Sequence, residues 1–199
     1  MQWLAGALHA ARTRLDVATN NMANVSSDGF MKTYARTIAR TNAIEVVTAI
    51  DRTQGPLVRT GRRFDLALLG PGTFALRDRN GDVEHVRSGR FMRDAQGRLS
   101  DDRGRAVLDR GGQPIKISAL ATIDADGAIR EGTQVAARLA LPHGTTLHAG
   151  FLERPNVDAI TEMVAVLDAQ RAFETSQKVL MTLDEARSKA SNEVGRLKE

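Results

Sequence analysis

Residues 4–25 read LAGALHAARTRLDVATNNMANV, and the placing of the apolar residues in this stretch decides what the chain is built from. Leu4, Leu8, Ala11, Leu15, Ala18, Met22 and Val25 alternate steps of four and three. That is the heptad spacing, which keeps one narrow stripe of a helix facing a partner helix. Ala5, Ala7 and Ala10 raise helix propensity beside the stripe. Ser26-Ser27-Asp28-Gly29 is expected to stop the helix, with Gly29 able to take the left-handed backbone of a C-terminal cap.

A second seam occupies the other end. Pro155 closes an extended piece, Asn156 is the expected N-cap, and Asp158 and Glu162 sit early, where the helix dipole favours acids. Ile160, Met163, Val166, Ala169, Phe173, Leu180, Leu183, Ala186, Ala190, Val194 and Leu197 then keep mostly three-four spacing. Ser176 is a polar step in that stripe, and Gly195 is expected to mark fraying. Between the ends, strand-like runs such as Phe64–Leu69 and Thr73–Arg77 alternate with turn signals. These fall at Gly70-Pro71-Gly72, Asp78-Arg79-Asn80-Gly81, Asp94-Ala95-Gln96-Gly97, Asp109-Arg110-Gly111-Gly112 and Asp124-Ala125-Asp126-Gly127. Asn80-Gly81 predicts a type I′ hairpin turn. The expected fold is α+β, with long terminal helices forming a coiled-coil-like assembly region around a compact antiparallel β domain. The expected boundaries are 1–30 for the N-terminal helix, 31–53 for a connecting segment without a clean period, 54–150 for the β domain and 151–199 for the C-terminal helix. An Ala-rich seam buries little apolar area, so these helices are expected to gain order by associating. A self-contained helix pair packed on the β domain is the open alternative.

Composition narrows the function. Of 199 residues, 42% are hydrophobic but only 4% aromatic, which suits a small or elongated body better than a bulky enzyme domain. Cys is absent, which excludes disulfides and thiolate metal sites. The net charge of +4 comes from 28 Lys and Arg interspersed with 24 Asp and Glu, with no basic run of the kind that binds nucleic acid. The start has no positive n-region followed by an h-region, so no cleaved signal peptide is expected, and no apolar run is long enough to span a membrane. His9, His85, His143 and His148 are scattered, with no HExxH, GxSxG or P-loop pattern beside them. The acidic loops at Asp78–Asp82 and Asp124–Gly127 do not continue to the Glu of a Ca²⁺-binding EF-hand and read as hairpin turns. No catalytic residue, metal site or cofactor is expected.

Three stretches, in order, resemble the flagellar rod and hook family. Asn20-Asn21-Met22-Ala23-Asn24-Val25-Ser26-Ser27-Asp28-Gly29-Phe30 is similar to the rod signature ANNLANVxTxGFK, with Thr19 where Ala is usual and Met22 in place of Leu. Gln54-Gly55-Pro56-Leu57, Thr60-Gly61, Asp65-Leu66-Ala67-Leu68, Gly72-Thr73-Phe74, Arg87-Ser88-Gly89-Arg90-Phe91 and Gly97-Arg98-Leu99 resemble the family's middle series. Asn156-Val157-Asp158, Glu162-Met163-Val164 and Gln170-Arg171-Ala172-Phe173-Glu174 resemble NVD…EMV…AQRAYE, with Phe173 for Tyr and Arg154-Pro155 where Ser is common. The pattern looks closest to the proximal and distal rod proteins. Family members are typically some tens of residues longer, and the shortfall lies between about Ile129 and Leu147.

The resemblance implies a non-enzymatic structural subunit of the bacterial basal-body rod that crosses the cell envelope. Its implied partners are itself, other rod and hook axial proteins and the flagellar export apparatus, with neither nucleic acid nor a membrane span involved. The implied assembly interface comprises Leu4, Leu8, Ala11, Leu15, Ala18, Asn20, Asn21, Met22, Asn24, Val25, Gly29 and Phe30 at one end. At the other it comprises Asn156, Val157, Met163, Gln170, Arg171, Phe173, Glu174 and Leu180. For the Asn cluster, buried pairing and plain helix-end capping are both open. For Arg171 and Glu174, an intersubunit ion pair and a solvated i,i+3 pair are both open. A binding module for peptide or nucleic acid on the β domain is the competing function.

Overall fold

The computed structural model describes residues 2–40 and 43–196, with side chains over 5–38 and 44–190, so Leu4, Val194 and Leu197 of the two seams lie outside the described side chains. The chain divides into two units: Met1–Val25, Lys32–Asp51 and Val157–Glu199 form one, Ser26–Met31 and Arg52–Asn156 the other.

The first unit is helical with one hairpin. Helix α1 spans Gln2–Ala23 and packs against α2, Ala159–Arg196, within the same chain. Ala11 and Ala18 of the heptad stripe are buried, Leu8, Leu15 and Met22 half-buried. The helix ends two residues before Val25, because Asn24 N–H donates to Asn21 O at 3.1 Å and Val25 N–H to Met22 O at 3.3 Å. That i→i+3 tightening is a common helix ending, and the C-terminal cap expected at Gly29 is not needed. Gly29 does take the left-handed backbone, φ 70°, but for another reason: in the β unit a Cβ there would meet Ser88 N at 2.4 Å.

The segment expected to connect without a period carries a hairpin, β1 (Thr33–Arg40) and β2 (Ala43–Ile50), antiparallel in the register Thr33↔Ile50 to Arg40↔Ala43. Its β-branched residues favour the pleat. Ala35, Thr37, Ile44 and Val46 share the half-buried face, while Tyr34, Arg36, Ile38, Glu45 and Val47 face out. Apolar and polar residues occur on both faces, which blurs a period-two count. Gly6 marks the close approach of α1, where a Cβ would come within 3.2 Å of Ile44. Lys32 and Asp51 close the hairpin base, with Asp51 N–H donating to Lys32 O at 2.8 Å and Lys32 Nζ 3.7 Å from the Asp51 carboxylate.

At the start of α2, Asp158 is the cap in place of the expected Asn156. Its Oδ1 accepts from Thr161 N at 2.8 Å and Thr161 Oγ1 at 2.6 Å, an N-cap bonding pattern. These bonds from the Thr161 side chain and backbone hold the Asp158 carboxyl below its ordinary pKa. Asn156 instead donates from its side chain to Thr53 O at 2.9 Å. Helix α2 has 38 residues against 22 in α1, roughly 57 Å against 33 Å at 1.5 Å per residue. The far part, Met181–Ala190, is exposed throughout.

The second unit is antiparallel β. A five-stranded sheet runs in the order β6 (Val83–Val86), β5 (Phe74–Arg77), β9 (Ala106–Val107), β8 (Leu99–Ser100), β7 (Met92–Arg93). A three-stranded sheet takes β10 (Thr122–Ile123), β11 (Ala128–Glu131) and β12 (Gln134–Arg138). Two long-range pairs complete the unit: β4 (Leu66–Leu69) with β13 (Thr146–Ala149), and β3 (Leu57–Arg59) with β14 (Phe151–Glu153). The core gathers Leu66, Leu68, Phe74, Leu76, Phe91, Leu99, Val107, Ile115, Ile129 and Leu147, with Phe74 and Phe91 edge-to-face at 5.0 Å.

The turns that join neighbouring strands share one design. Asp78, Asp94, Asp101 and Asp109 each accept, on one carboxylate oxygen, from the N–H groups two and four residues on. Each also donates its own N–H to the carbonyl four residues on, and a Gly at the fourth position takes positive φ. Asp124 keeps the backbone part of the pattern. No non-Gly residue among those described has positive φ, so Asn80-Gly81 is not the type I′ turn expected. It is a turn with a left-handed Gly after it, a three-residue hairpin loop of the G1-bulge kind.

Candidate assembly interface

Asn21 lies in the N-terminal signature and is only 1% exposed. Its Nδ2 donates to Thr33 O at 2.7 Å and to Glu162 Oε2 at 3.1 Å, and its Oδ1 accepts from Thr33 N at 2.9 Å. The amide thus pairs with Thr33 as another strand's peptide group would, and ties α1 to β1 and α2 at one point. Of the two readings of the Asn cluster, buried pairing holds for Asn21. Asn24 donates to Asn20 O at 2.9 Å, a local helix-end bond, and Asn20 is exposed.

Glu162, whose partner is Asn21, belongs to the face of α2 that meets α1. With Ala165, Val166, Ala169, Phe173, Ser176 and Leu180 it forms the stripe that is buried or half-buried. Ser176 fits there because its hydroxyl bonds back to Ala172 O at 2.8 Å. Ile160 and Met163 were expected in the same stripe and are not: they are 74% and 52% exposed. Counting apolar residues alone skips the buried Glu162 and so slips to the wrong face. With Val164 and Leu167, also about half-exposed, Ile160 and Met163 follow i, i+3, i+4, i+7 spacing. At about 100° per residue this second stripe stands roughly opposite the buried one. Arg171 and Glu174 continue it one and two turns on, and both are exposed, as is Gln170, which donates to Glu174 at 3.1 Å.

The remaining expected interface residues have partners inside the chain. In the β unit, Gly29 N–H donates to Glu153 O at 2.7 Å and Asn156 N–H to Phe30 O at 3.4 Å. Asp28 receives Arg90 at 2.6 Å and Arg154 at 3.3 Å. Val157 is half-buried.

Sequence reasoning missed the polar centre of the β unit. Arg87 and Glu153 are 6% and 4% exposed and meet at 2.6 Å. Arg87 also donates to Gly70 O, Gly72 O and Leu68 O at 2.7–2.8 Å, and Glu153 accepts Gly55 N–H at 3.1 Å. Gln54 donates to Leu68 O at 2.6 Å. The middle-series residues Gln54, Gly55 and Arg87 therefore converge on one spot. The same close packing explains two glycines of that series: a Cβ at Gly55 would lie 1.9 Å from Arg154 O, and one at Gly89 1.6 Å from Leu66 O. The signal for Asp101 was present, since Asp101-Asp102-Arg103-Gly104 repeats the spacing of its neighbours.

Among the described residues, no group of His, Asp or Glu is arranged to hold a metal ion, and no helix is long and apolar enough to cross a membrane. The Asp78 and Asp126 carboxylates accept backbone N–H groups of their own turns, as hairpin turns commonly do, and the Asp124 carboxylate meets Arg130.

The sequences of known proteins match this chain at both ends and along its length. Residues 1–30 match the family model for flagella basal body rod proteins, and residues 148–193 match the C-terminal model of the flagellar basal body rod FlgEFG proteins. The chain is 29% identical to flagellar basal-body rod protein FlgF of Caulobacter vibrioides over 230 aligned positions, covering 94% of each chain. It is 28% identical to flagellar basal-body rod protein FlgG of Bacillus subtilis, covering 87% of this chain and 90% of the relative. FlgF of Mesorhizobium japonicum is also 28% identical, over 86% and 87%. The first alignment is longer than the 199-residue chain, so that relative carries residues with no counterpart here.

Proposed function

The chain belongs to the flagellar basal-body rod proteins and is a structural rod subunit, and from that premise we propose that it polymerises through its paired terminal helices. One observation supports this above the others: α2 carries two apolar stripes on opposite faces. The inner stripe meets α1, and the outer one, Ile160, Met163, Val164 and Leu167, faces water. Contiguous exposed apolar surface on a folded chain marks an interaction site. Burying these half-exposed side chains against a neighbour contributes about 1 kcal/mol or more apiece. Several copies of such a contact offset the entropy that each subunit loses on joining.

In this reading the seam residues Leu8, Ala11, Leu15, Ala18 and Met22, with Phe173 and Leu180, make the helix pair, and Asn21 sets its register. Met163, Gln170, Arg171 and Glu174 form the outward surface that neighbours contact, a coiled-coil-like packing extended from one chain to the next. The role is structural and not catalytic. Other axial rod and hook proteins are the further partners, and the flagellar export apparatus delivers the chain to the basal body. The proximal and distal rod types stay equally matched, as relatives of both names are similar to this chain to nearly the same degree.

The test is deletion of the gene in its host, with motility scored and isolated basal bodies imaged by electron microscopy. Missing or truncated rods, restored by the wild-type gene, are expected. The variant Leu167→Glu should fold with unchanged helix content yet fail to restore rods. Intact rods in the deletion strain, or full rescue by Leu167→Glu together with Val164→Glu, would overturn the assignment of the outer stripe.

A further inference from the structure

The helical unit holds a groove of about 360 Å³, walled by α1, β1 and α2. Small residues, Ala18, Ala35, Ala165 and Ala169, make up part of its lining. A cavity of about 150 Å³ admits a benzene-sized group, so this groove has room for about two large aliphatic side chains. Its charges are sorted. Arg14 and Lys32 stand on the α1 and β1 side, Glu162 and Asp168 on the α2 side.

We propose that this groove receives the outer stripe of α2 from a second copy of the chain. The inference rests on the rod-subunit reading and names the contact through which it operates. Three observations carry it. Val164 and Leu167 lie on the outer stripe and are about half-exposed, and the groove, lined in part by small residues, has room for both. Opposite charges follow the stripe one and two turns on: by helical geometry Arg171 and Glu174 lie about 30° to either side of its midline. A helix seated in the groove brings Arg171 to the acidic wall and Glu174 to the basic wall. Turning that helix end for end would set like charges together, so one polarity is selected. Stripe and groove are also different surfaces of one chain. Each copy therefore presents one of each, and the contact is head-to-tail, the kind that propagates into filaments and does not close a two-fold dimer.

The chain has no Cys, so introduced pairs report contacts without background. Val17→Cys places a thiol in the groove and Leu167→Cys places one on the stripe, with Ala35→Cys as a second groove position in case the first disturbs α1. The deletion strain is complemented with both single variants together, basal bodies are isolated and oxidised, and disulfide-linked dimers are read on a non-reducing gel. The mixture should give at least tenfold more dimer than either variant alone, and the double variant V17C/L167C should give a ladder of larger species. Self-linking by Leu167→Cys as efficient as the mixture would overturn the head-to-tail arrangement. Rods that contain the chain but give no mixed dimer at either groove position would overturn the groove while leaving the rod role standing. Absence of the chain from basal bodies would overturn both.

Discussion

Replacing Arg87 by Met should cost the β unit more than any surface change. The side chain of Arg87 is 5% exposed and that of its partner Glu153 3%. Its removal takes away the ion pair at 2.6 Å and the donors to the carbonyls of Leu68, Gly70 and Gly72. Glu153 would keep only Gly55 N–H, at 3.1 Å. Breaking a buried pair from one side typically costs about 3–5 kcal/mol, because the charge left behind has lost its compensation. Domains of this size are stable by only about 5–15 kcal/mol. The variant should therefore unfold at a markedly lower urea midpoint, with the slope unchanged. The double variant Arg87→Met with Glu153→Gln removes the stranded charge and should recover about half of the loss, the difference measuring the coupling. Urea melts of the full chain, followed by the dispersed amide signals of β-unit residues such as Leu76 and Val107, provide the assay. A loss under about 1 kcal/mol for Arg87→Met, or no recovery in the double variant, would refute the view that a buried charge pair pins this unit.

Further outcomes follow from other positions. Asn21→Leu should lower stability by about 2–4 kcal/mol, since it leaves the Thr33 backbone groups and buried Glu162 without their partner; thermal melting with helix content as readout checks this, and Asn20→Ala is the control that should change little. Gly89→Ala should prevent the β unit from closing, as its Cβ would fall 1.6 Å from Leu66 O, and the expected result is loss of dispersed amide signals or of soluble protein. The Asp158 carboxyl titrates below its ordinary value through its bonds to Thr161. Asp126 is lowered as well, chiefly by the Ala128 N–H and then by Arg138. A depressed pKa means that the stabilisation is present above the ordinary carboxylate range and is lost as pH falls through the folded value. Asp158→Ala should therefore flatten the acid limb of a helix-content titration, and an unchanged limb would contradict the cap.

The period of the two seams and the D-x-x-G turns were legible because each depends on neighbours in sequence. Ala11, Ala18 and Phe173 lie on the faces that heptad counting gives them. Ile160 and Met163 do not, because the inner face of α2 admits a buried Glu162 whose partner, Asn21, is far away in the chain. The same reason hid Arg87 and Glu153: nothing in either local stretch marks a buried charge, and each looks like a surface residue until the strands meet. Hairpin β1–β2 was obscured by mixed composition on both faces. Gly55 and Gly89 stood within recognisable motifs, but only the fold shows that backbone from another segment occupies the place of a side chain.

The pairing of β3 and β4 with β14 and β13 bears on how the molecule comes into being. Leu57 and Leu66 leave the ribosome well before their partners at Glu153 and Ala149. At about 5–20 residues per second that delay is on the order of ten seconds. Closing so large a loop precedes any reward from the contacts it makes. The small hairpins between can form as they emerge, yet the unit cannot seal. A message or chain cut short before Phe151 yields no closed β unit, so truncated products stay open to proteases, and sealing itself acts as a test that the chain has been made through to its last strand.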